Sequence, residues 1–166
     1  MAQLLTESIV DKLLAYYQEN LPAKLHALNA QHGDALLKAP MTGAYHVGAL
    51  ALRSNIDYPK VFVIGESMGV RRYDRTWTDA DHAVTIRAAV KSTNTDDLQR
   101  MMYRWGVALW ELLVDRFFAT TGDDFPALHG EGEITIEYER PEAQDTSGAY
   151  IGSTTLTATF NKQEYS

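Results

Sequence analysis

The sequence predicts an α+β domain: a mainly antiparallel sheet of about four strands, with an N-terminal helix and one long helix packed on one face. Three observations carry this. Residues 84–90, VTIRAAV, alternate with the period of two that belongs to a half-buried strand. The stretch that follows, from Leu98 to Phe117, repeats its apolar residues every three or four positions, as an amphipathic helix does. The strands and helices do not come as repeated βαβ units, so a doubly wound parallel sheet is not expected. With 166 residues, 45% of them hydrophobic, the chain can fill one core, and residues 1–166 read as a single domain.

The first helix is read from Thr6, the expected cap, with Glu7 in the first turn where the helix dipole favours an anion. Ile9, Val10, Leu13, Leu14 and Tyr17 fall on one face. Asn20 and Pro22 punctuate, and Pro22 is expected to open a second helix through Leu25 and Leu28, with Gly33 as its stop. Residues 34–59 carry Pro40, Gly43 and Gly48 and read mostly as loop, with VGALAL from Val47 to Leu52 as a short strand.

Val61, Phe62, Val63 and Ile64 form a compact strand within residues 60–66. Residues 67–81, SMGVRRYDRTWTDAD, show no clean period and read as a long loop or a mobile hairpin. Segments of that kind are usually functional. Residues 82–91 form the alternating strand, with Val84, Ile86, Ala88 and Val90 on one face and Ala83, Thr85, Arg87 and Ala89 on the other. Ser92, Thr93, Asn94 and Thr95 supply candidate caps, and Asp96 and Asp97 suit the first turn of the long helix, which runs to about Ala119 before Gly122. Ile134, Ile136 and Tyr138 alternate with Thr135, Glu137 and Glu139 in the next strand. Residues 150–161 give the last, with Leu156, Ala158 and Phe160 opposite Thr155, Thr157 and Thr159. These two strands are expected to pair.

Composition excludes several function classes. There is no cysteine, so disulfides, thiolate catalysis and cysteine-bound zinc are out. The N-terminal residues, interrupted by Glu7 and Asp11, do not read as a signal peptide, and no run approaches the ~20 apolar residues of a membrane span. A net charge of −7 argues against a tight grip on a phosphate backbone.

Candidate chemistry is sparse. His82 stands beside Asp79 and Asp81, yet neighbouring strand residues point to opposite faces, and a solvated strand start is the simpler reading. His129, Glu131 and Glu133 lie in the flexible HGEGE and lack the fixed spacing of a helical zinc motif. Asp96–Asp97 is explained by the helix dipole, and Asp123–Asp124 by a loop. No nucleophile elbow, P-loop or dinucleotide fingerprint is present, and no cofactor or metal is expected. The chain is not read as an enzyme. What stands out is composition suited to contact. Arg71, Arg72, Tyr73, Arg75 and Trp77 combine arginine with aromatics, as interface hot spots do, and the overall acidity favours a protein partner over single-stranded nucleic acid. Trp105 lies on the core stripe of the long helix. Trp110 and Tyr103 fall off it, and Trp110 joins the candidate interface residues.

The succession KVFVIGE, an arginine- and aromatic-bearing excursion, HAVTIRAAV, TDDLQRMMYRWGVALWELL, EITIEYER and YIGSTTLTATF, behind an N-terminal helix, resembles the tail terminator (tail completion) proteins of long-tailed bacteriophages. The resemblance covers most of the chain, from about Leu4 to Phe160. It rests on a pattern of elements, so no catalytic or ligand residue carries over. It implies a structural virion protein of the tail or neck, assembled in the host cytoplasm. Such proteins form a homo-oligomeric ring, typically a hexamer. The ring caps the tail tube, ends its polymerisation and meets the head-side connector, while DNA only passes through the lumen. Two other classes stay open: a head-completion adaptor that assembles only on a partner, and a small metal-dependent enzyme using Asp79, His82, Glu131 or Glu133.

Overall fold

The computed structural model describes residues 5–48, 58–72, 77–119, 127–128, 134–139 and 148–165. In chain order the elements are α1 (Leu5–His32), a 3-10 turn (Thr42–Ala44), β1 (Tyr45–Val47), β2 (Lys60–Arg72), β3 (Trp77–Ser92), α2 (Thr95–Ala119), β4 (Ala127–Leu128), β5 (Thr135–Glu139) and β6 (Tyr150–Tyr165). They form an α+β fold. The sheet has six strands where about four were expected; the additions are the short β1 and β4. Its order is β1-β2-β3-β6, with β4 and β5 both on the second edge of β6. Only β1, against β2, is parallel.

The N-terminal segment is one helix and not two. Pro22 lies inside α1. A proline within a helix costs about 3 kcal/mol, because its ring crowds the carbonyl four residues back and the turn loses a hydrogen bond. Burial wins here. Leu21 just before Pro22, and Leu25 and Leu28 after it, continue the buried face of Ile9, Val10, Leu13 and Tyr17. Each such side chain gains about 1.5–3 kcal/mol on leaving water. Thr6 is not a cap either: it lies within α1, and its hydroxyl is hydrogen-bonded to His82 Nδ1 at 2.8 Å. Gly33 does end the helix. At φ 68° it takes the left-handed conformation, its N–H reaches the Ala30 carbonyl and that of Asp34 the Asn29 carbonyl. This 6→1 and 5→2 pair is the Schellman arrangement. The Asn29 side chain then pins the exit, donating to the Leu37 carbonyl and accepting from the Leu37 N–H.

α2 follows its expectation closely. Asn94 is the cap among the four candidates: its Oδ1 accepts from the N–H groups of Asp96 and Asp97. Leu98, Met102, Trp105, Ala108, Leu109 and Leu113 are buried. Gly106 sits mid-helix, where glycine costs roughly 1 kcal/mol relative to alanine. Its reason is β5: a Cβ there would meet the Tyr138 hydroxyl at 2.9 Å and Ile136 Cγ2 at 3.2 Å.

Both helices cover one face of the sheet. Val61 and Val63 of β2, Val84, Ile86, Ala88 and Val90 of β3, and Leu156, Ala158 and Phe160 of β6 join the helix residues in one core. The alternation read for β3 therefore has the right phase. Two phenols tie α1 to α2: buried Tyr17 donates to the Leu109 carbonyl at 2.7 Å, and half-buried Tyr16 to the Leu112 carbonyl at 2.9 Å. Thr154 ties β6 to α2 by donating to the Met102 carbonyl at 2.7 Å. Ion pairs close the periphery, Lys24 with Glu111 and Arg104 with Asp34. The last two long strands pair as expected, from Thr135↔Thr157 to Glu139↔Ser153. No helix among the described residues is long and apolar enough to cross a membrane.

Candidate interaction surface

The described residues of 67–81 are strand and not loop: 67–72 end β2 and 77–81 begin β3. Of the two readings the hairpin holds: β2 and β3 stay in antiparallel register out to Arg72↔Thr78. One irregularity, between Gly65 and Ser67, leaves Glu66 without an opposite residue. Such a bulge increases local twist and turns the strand. Beyond it the burial of β2 collapses. Every residue from Gly65 to Arg71 is exposed, on both sides of the strand, with Met68 at 49% and Val70 at 55%. The hairpin thus carries apolar side chains out of the core and into solvent.

The register sorts its side chains. Met68 pairs with His82 and Val70 with Ala80, so both lie on the side of the sheet that bears the helices. Ser67, Gly69 and Arg71 pair with Ala83, Asp81 and Asp79 on the opposite side. There Arg71 approaches Asp81 at 3.9 Å with most of its side chain in water, a pairing worth little. Arg72 closes β2 and Trp77 opens β3, where it pairs with Tyr165. Their side chains, and Tyr73 and Arg75 whole, lie outside the described residues, as do Leu50–Leu52, Gly122, Asp123, Asp124, His129, Glu131 and Glu133.

Trp110 belongs to a second surface. On α2, Tyr103, Val107 and Trp110 recur at spacings of four and three and are 50%, 39% and 41% exposed. They form an apolar stripe on the face of α2 turned from the core. Tyr138 of β5 extends it, meeting Tyr103 edge-on with ring centroids 5.0 Å apart. Of the two off-stripe aromatics, Tyr103 meets a strand and is 50% exposed, and Trp110 is 41% exposed, so each is about half covered. The structure does not gather the predicted interface residues into one patch: Arg71, Arg72 and Trp77 belong to the hairpin and Trp110 to α2.

The chemistry of the remaining candidates is accounted for locally. His82 is not at a solvated strand start. It is fully buried in the middle of β3, on the helix side, against Thr6. Asp79 and Asp81 point the other way, and Asn161 donates to both, at 2.5 and 2.8 Å. Adjacent strand residues face apart, so Asp79 and Asp81 share no site with His82. Among the described residues no three His, Asp or Glu side chains gather as a metal set. The outer face of the sheet is polar. Arg87, Glu139 and Ser153 interlock there, and Thr85 and Thr157 face each other at 3.4 Å. At its β1 end it is apolar, with His46 stacked on Phe62 at 5.4 Å between ring centroids.

Burial and neighbours perturb a few groups. Tyr45 is pushed up to about 12 by burial, and Tyr17 is raised well above the ordinary phenol range for the same reason, helped by Tyr16. Asp34 is lowered, chiefly by its hydrogen bond from Arg104. These are structural phenols and a surface ion pair. No protein-family model matches the chain. No curated protein matches it in sequence.

Sequence reasoning placed Trp110 and Tyr103 off the core face of α2 but missed Val107 between them, because Val107 alone carries no signal. It also missed Met68 and Val70. The clue was their alternation with Ser67, Gly69 and Arg71, which two glycines and a bulge obscure.

Proposed function

We propose that this chain is a structural virion protein that assembles with copies of itself into a ring, which caps the tail tube of a long-tailed phage and joins it to the head-side connector. The observation that carries the reading is the exposed half of the β2–β3 hairpin, which spends Met68 and Val70 on solvent rather than on the core. Exposed apolar residues on a projecting, regular element suit contact with another protein. The Tyr103–Val107–Trp110 stripe supplies a second contact face, so each copy offers more than one surface, as a ring member requires. In this reading Arg71, Arg72, Tyr73, Arg75 and Trp77 form the arm, and Trp110 the helix contact. The partners are further copies in a hexameric ring, the tail tube protein and the connector protein. The net charge of −7 suits a lumen through which DNA slides without adhering. No step of catalysis and no cofactor enters.

The test is replacement of Arg71–Trp77 by a short Gly-Ser turn, followed by sizing and by tail assembly in complementation. Loss of the assembled species with the fold retained supports the reading. Unchanged assembly sinks the arm. An adaptor that binds only its partner would instead remain a monomer before and after the cut.

A further inference from the structure

Among the described residues the sheet has two open edges, and their chemistry matches. β1 covers β2 only from Val61 to Val63. Among the described residues no strand pairs with the outer edge of β2 from Ser67 to Arg72, nor with the second edge of β5. These edges are six and five residues long by their registers. Each is amphipathic in the same sense. On the helix side β2 presents Met68 and Val70, and β5 presents Ile136 and Tyr138. On the outer side β2 presents Arg71, whose side chain is 69% exposed, and β5 presents the exposed Glu137. Open edges with exposed apolar side chains invite pairing with another chain.

We infer that β5 of one copy adds to the outer edge of β2 of the next, so that the sheet runs on from subunit to subunit. The occupant is a second copy of this chain, chosen by charge and by polarity. Apolar Met68 and Val70 meet apolar Ile136 and Tyr138, while Arg71 meets Glu137. Direction also agrees. Three antiparallel steps separate β2 from β5 in the sheet, so the two strands run oppositely. A neighbour related by rotation about an axis along the strands therefore brings its β5 antiparallel to β2. The contact is head to tail, using different patches on each copy, which is the kind that closes into rings. The inference rests on the proposed self-association and names its contact.

The absence of cysteine makes the test clean. Two single variants of the full chain, Arg71→Cys and Glu137→Cys, both at exposed sites, are mixed and treated with a short bis-maleimide that reaches about 8 Å, the diagonal spacing across paired strands. Val70→Cys with Tyr138→Cys is the matching pair on the helix side. Sizing with light scattering is run on the same samples. The expected result is a cross-link in each mixture about tenfold above that of either variant alone, abolished when Arg71 is replaced by glutamate in the Val70→Cys variant. A ring without the mixed cross-link overturns the edge pairing and leaves the ring. A mixed cross-link in an open chain or dimer upholds the pairing and overturns the ring. A monomer without cross-link overturns both.

Discussion

At the scale of single residues, the interior is tied by a few hydroxyls whose removal has readable effects. Tyr17 is fully buried and donates to the Leu109 carbonyl. Tyr17→Phe keeps the ring and loses the bond, and is expected to cost about 0.5–1.5 kcal/mol in urea unfolding at neutral pH. The same residue predicts a pH dependence. Its folded pKa is raised above the unfolded phenol value of about 10. Its contribution is thus complete below about pH 10 and is lost as pH rises beyond it, where the unfolded chain releases the proton and the native state holds it. Urea midpoints for the wild type should fall more steeply above pH 10 than those of Tyr17→Phe; parallel curves would contradict this. The burial of Tyr17 was legible from its place on the α1 stripe. Its hydrogen bond was not, because the acceptor is a backbone carbonyl 92 positions away. His82 was misread for a related reason. Its neighbours Asp79 and Asp81 made the local sequence look solvated, but the phase of β3 turns the imidazole inward onto Thr6.

At the scale of elements, the cap of α2, the stop of α1 and the phase of the strands were legible; the start of α1 and the extents of the strands were not. Asn94 was one of four candidate caps, and Asn94→Ala should cost about 1 kcal/mol, read as a lower thermal midpoint with an unchanged folded spectrum. β3 was legible in its core half because residues 84–90 alternate cleanly, and the core face of α2 because its apolar spacing is regular. β2 and β3 run further than read: β2 is exposed beyond Gly65, and the buried positions of β3 opposite it are Ala80 and His82, which give no apolar alternation. Pro22 misled because the penalty of a proline is local, whereas the gain from Leu21, Leu25 and Leu28 appears only once α2 and the sheet are in place. The exposed stripe of α2 carries its own prediction under the proposed function. Trp110→Asp should leave unfolding within about 0.5 kcal/mol of wild type, as surface changes do, while weakening assembly on sizing. A large loss of stability would instead assign Trp110 to the fold.

At the scale of the whole molecule, the α+β layout followed from element order, and helices on one face followed from the phase of three strands. The short strands β1 and β4 did not, because three and two residues give no periodicity. The surface that the proposed function assigns to partners was half legible. Arginines and a tryptophan marked the hairpin, but the open sheet edges emerge only from the pairing order. Under the proposed function copies of this chain join into a closed ring, and light scattering on a sizing column with negative-stain images of each peak is expected to find a ring of about six copies. A single monomeric peak at every concentration, with no rings in the images, would contradict it.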